Sequence, residues 1–137
     1  MIKISFCLRR RTGLSHEEFL DYWKCDHGVL VQQYKAVLRI SRYIQFHGDF
    51  GPITSKLVAF RGSPAPYDGI AEIWYESRSA LETLGRDPAA RAASRLLLED
   101  EKRFVDLKNS PIFAGEEITL IGGNPGFSMS QKICNLS

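Results

Sequence analysis

Residues 2–27, IKISFCLRRRTGLSHEEFLDYWKCDH, change period part-way, and that change sets the fold. Ile2, Ile4, Phe6 and Leu8 alternate with Lys3, Ser5 and Cys7, the period-2 pattern of a strand with one apolar face. Thr12-Gly13 breaks it. Ser15 with Glu18 then makes a capping box, and Leu14 and Phe19 are placed to staple the chain around it. Beyond the cap Phe19, Tyr22, Trp23, Asp26, His27 and Leu30 recur at offsets of 3, 4, 7, 8 and 11, on one side of a helix. Gly28 reads as a stop or kink, which leaves His27 in the last helical turn.

Outward from this strand and helix, residues 37–47, VLRISRYIQFH, read as a second strand and residues 69–76, GIAEIWYE, as a third. The long connection 48–68 has turn signals at Gly48, Gly51-Pro52 and Pro64-x-Pro66 framing an apolar piece, Leu57 to Phe60. It is expected to cover the open end of a helix–sheet cleft. A short helix follows at 78–85. Asp87-Pro88 supplies an N-cap and a first-turn proline for a helix with Ala93, Leu96, Leu97, Phe104 and Leu107 on one stripe, running to about Leu107. Ser110-Pro111 ends it, and residues 113–121 make a last strand. The order is β-α-β-β-α-β, an α+β, ferredoxin-like arrangement with a four-stranded antiparallel sheet. One domain spans 1–121, with a polar tail at 122–137. Helices cover one sheet face, so Cys7, Glu72 and Trp74 fall on the other, with Glu72 placed to pair with Arg39 or Arg42. An aromatic on a bare face calls for a partner, and two such sheets pair into a homodimeric α+β barrel.

Composition narrows the partners. The chain has 137 residues, enough for one core without staples. A formal net charge of +2 is too small to point to nucleic acid or an anionic membrane, and Arg9-Arg10-Arg11 reads as a solvated strand end. His16, Glu17 and Glu18 read as a solvated first helical turn. Three cysteines, Cys7, Cys25 and Cys134, form no C-x-x-C pair, so no disulfide framework is expected, and a reducing, cytoplasmic setting follows. No stretch approaches the roughly 20 apolar residues of a membrane span, and residues 1–8 are too short for a signal peptide. The three histidines lack metal-ligand spacing. Gly122, Gly123 and Gly126 open no helix, so no phosphate cradle is implied. There is no G-x-S-x-G and no Cys–His nucleophile pair. Neither metal nor organic cofactor is expected.

The segment R-x-x-x-L-S-x-E-E-F-x-x-Y-W-x-x-x-H at 10–27, the run Tyr67 to Trp74 and the phrase LLEDEKRFVDLKNSP at 97–111 together resemble the EthD-like family. The resemblance covers residue 1 to about 121. It implies a dimeric α+β barrel and kinship with small cofactor-free enzymes of aromatic polyketide pathways: cyclases, decarboxylases, dehydratases and quinone-forming monooxygenases. In the plant polyketide cyclases of this superfamily the pocket's helix tyrosine corresponds to Trp23, and two strand valines correspond to Ala71 and Ile73. A second tyrosine corresponds to Leu84 and the catalytic histidine to Ala90. The apolar wall is kept and the acid–base pair is not, so any base here comes from elsewhere.

His27 is the first choice for that base, because an imidazole takes and returns a proton near neutral pH; its structural reading is a cap on the helix C-terminus. His47, at a strand end beside the long connection, is the second candidate. Tyr22 and Trp23 would position a flat ring. Asp26, about 100° from His27 around the helix, is counted with the ligand contacts, and Ala71, Ile73 and Leu84 form the wall. These residues point to a cofactor-independent enzyme acting on a polyketide-derived or aromatic small molecule by proton transfer: decarboxylation, dehydration or cyclisation in natural-product biosynthesis. The alternatives are a cofactor-free monooxygenase on an anthrone-like substrate and a non-catalytic ligand-binding barrel.

Overall fold

The structure, a computed structural model, describes residues 1–123. Strands β1 (Ile2–Leu8), β2 (Arg42–His47), β3 (Gly69–Tyr75) and β4 (Ile112–Gly115) form one antiparallel sheet in the order β2-β3-β1-β4. This is the ferredoxin-like arrangement, with β1 and β2 held apart by β3. The register sets Ile4 opposite Ile73, Phe6 opposite Ala71 and Tyr43 opposite Ile73. Alternation therefore turns Ile2, Ile4, Phe6, Leu8, Ala71, Ile73 and Tyr75 toward the helices. Two clusters fill that face, one around Phe19, Trp23 and Phe104, the other around Leu38, Leu84, Ala90 and Ala93.

The first helix does not stop at Gly28. It runs as α1 (His16–Tyr22), a π turn (Trp23–His27) and α2 (Gly28–Gln33), with the Gly28 N–H donating to the Trp23 carbonyl. The capping box at Ser15 and Glu18 forms in both directions. The π turn has a consequence for the face. From Phe19 to Val31 an unbroken α-helix rotates the side chain by a net of about 120°. A π turn absorbs one residue, about 100° of that. Phe19, Trp23, His27 and Val31, four residues apart, accordingly all lie buried on one side. His27 sits in mid-helix, so it is not a C-terminal cap.

Other boundaries also move. β2 begins at Arg42 because Leu38 turns into the core, with Arg39 in the left-handed region at φ 53°. The connection between β2 and β3 contains a helix, α3 (Pro52–Arg61), with no buried residue. After α4 (Arg78–Leu84), the helix α5 (Pro88–Glu101) ends well before Leu107, and Leu96 on its expected buried stripe is half exposed. β4 is only four residues long. Glu72 pairs with Lys3 at 3.4 Å rather than with Arg39 or Arg42. Trp74 is not left bare. It is 6% exposed within one chain, with Lys3 and Arg42 over its ring and its indole N–H donating to Glu117. Cys25 is disulfide-bonded and Cys7 is free, which corrects the expectation of wholly unbridged cysteines. Most of the expected tail, 124–137, lies outside the described residues. Among the described residues no helix is long and apolar enough to cross a membrane.

Gly69 opens β3 directly under the first helix. A Cβ built there falls 2.5 Å from Trp23 Cζ3 and 2.6 Å from the Phe46 carbonyl oxygen. One contact is backbone and the other a fully buried indole, so neither yields. Gly69→Ala is expected to cost about 1–3 kcal/mol, the range for overpacked cores, with an altered tryptophan emission. Chemical denaturation with fluorescence detection checks both; an unchanged midpoint would mean Trp23 is not seated on this strand.

Candidate functional site

Between the helices and the sheet lies a cavity of about 560 Å³, lined by members of both core clusters. Its walls are mainly apolar: Trp23, Phe104, Ile4, Ile73 and Leu84 among them. Few polar side chains interrupt that wall, and their placement defines the chemistry available.

The π turn points His27 into the cavity. Its Nδ1–H donates to Asp100 Oδ2 at 2.8 Å, since an ionised carboxylate can only accept. The other oxygen of Asp100 accepts from the Tyr22 hydroxyl at 2.6 Å. Held this way, the ring presents Nε2 as its free lone pair. No buried side-chain nitrogen or oxygen among the described residues lacks a partner, so this unpaired Nε2 reaches the cavity space. Burial lowers the imidazole below its usual titration range, and the Asp100 hydrogen bond and charge only partly oppose that. The ring is neutral at neutral pH, the form that acts as a base. Burial, then the Asp100 hydrogen bond, pushes the Tyr22 hydroxyl up to about 12, which keeps it a donor.

Glu101 enters the same cavity from the last turn of α5. Burial first, and the neighbouring Asp100 charge second, raise its carboxyl to about 7. Tyr43 also lines the cavity. Gln45 Nε2 donates to its oxygen at 3.0 Å and to the Trp23 carbonyl at 2.8 Å, so the Tyr43 hydrogen is not consumed by that bond. One cavity thus holds a neutral imidazole and a carboxyl poised near neutrality. Groups whose environments set them apart in this way are the usual acid–base pair.

Of the expected site residues, His27, Trp23, Ala71, Ile73 and Leu84 line this cavity. Tyr22 stands behind His27 through Asp100 rather than in the wall. Asp26 is exposed and takes no part in the wall, because the π turn carries it to the outer side. His47 stacks on Trp23 at 4.8 Å and shares a 2.8 Å bond between its Nε2 and Gln45 Oε1, outside the wall; it can orient Gln45 but does not reach the cavity. Asp100, Glu101 and Tyr43 escaped the sequence reading. Glu101 left a signal, since it sits four residues after Leu97 and three before Phe104, on the apolar stripe itself.

The connection 48–68 does not cover this cavity, for none of its residues lines it. Through α3 and its flanks it builds a separate groove of about 870 Å³ against Arg10 and Leu14. His16, expected in a solvated turn, instead ties the connection down, with Nδ1 2.8 Å from Asp68 Oδ1 and Nε2 2.8 Å from the Gly48 carbonyl. Among the described residues no cluster of three histidine, cysteine or acidic side chains could hold a metal ion.

The EthD domain profile matches residues 11–108. Solved structures similar in fold include an ethyl tert-butyl ether degradation (EthD) family protein from Bacillus halodurans, 15% identical, with a TM-score of 0.57 over 86% of this chain and 99% of that one. HapK from Hahella chejuensis is 13% identical, with a TM-score of 0.53 over 93% and 98%. A dimeric protein of unknown function and ferredoxin-like fold from Bacteroides fragilis is 10% identical, with a TM-score of 0.52 over 85% and 95%. No curated protein matches the sequence.

The raised carboxyl makes a pH prediction. Glu101 ordinarily titrates at 4.5 and here at about 7, so between those values the folded chain holds a proton the unfolded chain has released. Stability therefore falls as pH rises through that window, and the full penalty applies above about 7. Glu101→Gln removes the term. Urea midpoints at pH 5 and 8 should fall more steeply for the wild type than for the variant; parallel behaviour would place Glu101 in solvent.

Proposed function

The chain belongs to the EthD family, its domain spanning residues 11–108, and from that premise we propose that it is a cofactor-independent enzyme moving protons on an aromatic or polyketide-like small molecule. The observation that carries this reading is the His27–Asp100 pair opening onto the apolar cavity that also receives Glu101. In the reaction His27 Nε2 takes a proton from carbon next to a carbonyl. The C–H electron pair passes into the enolate, and Glu101 protonates its oxygen. Trp23 and Phe104 offer the faces against which a flat ring rests. Decarboxylation, dehydration and ring closure all draw on that same pair, and natural-product biosynthesis is the setting such substrates suggest.

The same reading takes the protein as a homodimer. The sheet face away from the helices leaves Phe46 and Phe113 60% and 61% exposed, and the Bacteroides fragilis neighbour is described as dimeric. Sedimentation should give a dimer for the wild type and a monomer for Phe46→Glu; a monomeric wild type at micromolar concentration sinks the pairing.

Hydrogen–deuterium exchange of anthrone at its methylene carbon tests proton transfer whatever the eventual product. The wild type should accelerate exchange over buffer. His27→Gln is expected to lose about 10²–10⁴ of that acceleration, the usual worth of a general base, with Glu101→Gln slowed as well. Binding without accelerated exchange would make this a ligand-carrying barrel instead. Exchange coupled to oxygen uptake would mark it as a monooxygenase.

A further inference from the structure

α5 contributes more to the cavity than Glu101. Arg91, Ser94, Arg95 and Leu98 precede Glu101 along the same lining face. Arg95 stands six residues before Glu101, about 9 Å along the helix axis, and Arg91 ten, about 15 Å. Both arginines are exposed, so they form the cavity's outer end while His27 and Glu101 occupy its inner one. Among the described residues neither guanidinium has a salt bridge or a side-chain hydrogen bond. Glu99, one turn beyond Arg95, is bonded by Lys102 at 2.8 Å and feels the Arg95 charge only as a weaker, through-space attraction, and Asp87, one turn before Arg91, accepts from its own helix at Ala89. Two like charges four residues apart weaken a helix slightly. Their stems lie along the apolar rim, which leaves both guanidiniums placed to meet an anionic group entering the cavity.

Resting on the reading that this cavity is the ligand site, we propose that its ligand is an aromatic carboxylate, with the carboxylate gripped by Arg91 and Arg95 at the mouth and the ring system extending inward toward His27 and Glu101. A planar guanidinium meets a carboxylate through two parallel N–H···O bonds, and the Ser94 hydroxyl supplies a further donor between them. The axial separation has a chemical consequence. The anchored carboxylate lies away from the acid–base pair, so it serves as a handle and is not the group that leaves. Enolisation, dehydration or ring closure at the distal end is favoured over loss of this carboxylate.

The test is calorimetric titration of the intact 137-residue chain with 2-naphthoate and with its neutral isostere 2-naphthamide, for the wild type, Arg91→Gln and Arg95→Gln. The wild type should bind naphthoate about tenfold more tightly than naphthamide, as charge-assisted forks allow. Each substitution should cost roughly three- to tenfold for naphthoate and almost nothing for naphthamide, and added salt should narrow the gap between the probes. Equal affinities in the wild type, equal losses for both probes in the variants, or no naphthoate binding would each overturn the proposal. The exchange assay keeps the two readings apart. Anthrone exchange without arginine-dependent naphthoate binding leaves proton transfer standing and removes the carboxylate; arginine-dependent binding without exchange does the reverse.

Discussion

The Trp23 carbonyl oxygen is where the site is anchored. It accepts the Gly28 N–H, which closes the π turn within the helix, and the Gln45 side-chain amide from β2, which fastens that turn to the sheet. Gln45 approaches so closely because residue 28 is glycine: a Cβ there falls 3.1 Å from Gln45 Nε2. Without the π turn the four buried residues of the first helix would spiral away from the sheet, and His27 would leave the cavity for its edge. A local weakness in helical hydrogen bonding is thus what aims the imidazole inward, a common use of π turns.

Asp100 then sets the electrostatics of the inner end. Its two oxygens are divided between Tyr22 and His27, so it fixes the imidazole tautomer through one and takes a neutral hydroxyl through the other. Its charge also contributes, after burial, to raising Glu101. The same carboxylate therefore favours a charged His27 and a neutral Glu101, but burial exceeds it at the histidine and reinforces it at the glutamate. One base and one acid emerge from two groups that would otherwise titrate in the opposite order. The arginines at the other end of α5 complete a polarity along the cavity, cationic at the rim and titratable within.

Much of this was legible in the chain. Alternation in residues 2–8, the Ser15 and Glu18 box and the Asp87-Pro88 start are local, because each depends on backbone geometry within a few residues. They sufficed for the antiparallel ferredoxin-like sheet, and Trp23 and His27 follow from the helix face they define, whereas Ala71, Ile73 and Leu84 came from the family resemblance. Simple helical periodicity failed at Gly28 and Asp26, because it assumes a constant rotation per residue and the π turn breaks that assumption. The sequence alone determined the order of the strands and the starts of the first and last long helices, but not the helix within 48–68 or the π turn. Only the tertiary structure decided that Asp100 would meet His27 across 73 residues of chain, that Glu101 would be desolvated beside it, and that Trp74 would be covered by its own chain. Contact between distant segments and desolvation of a charge are properties of the packed assembly, and neither leaves a periodic trace in the sequence.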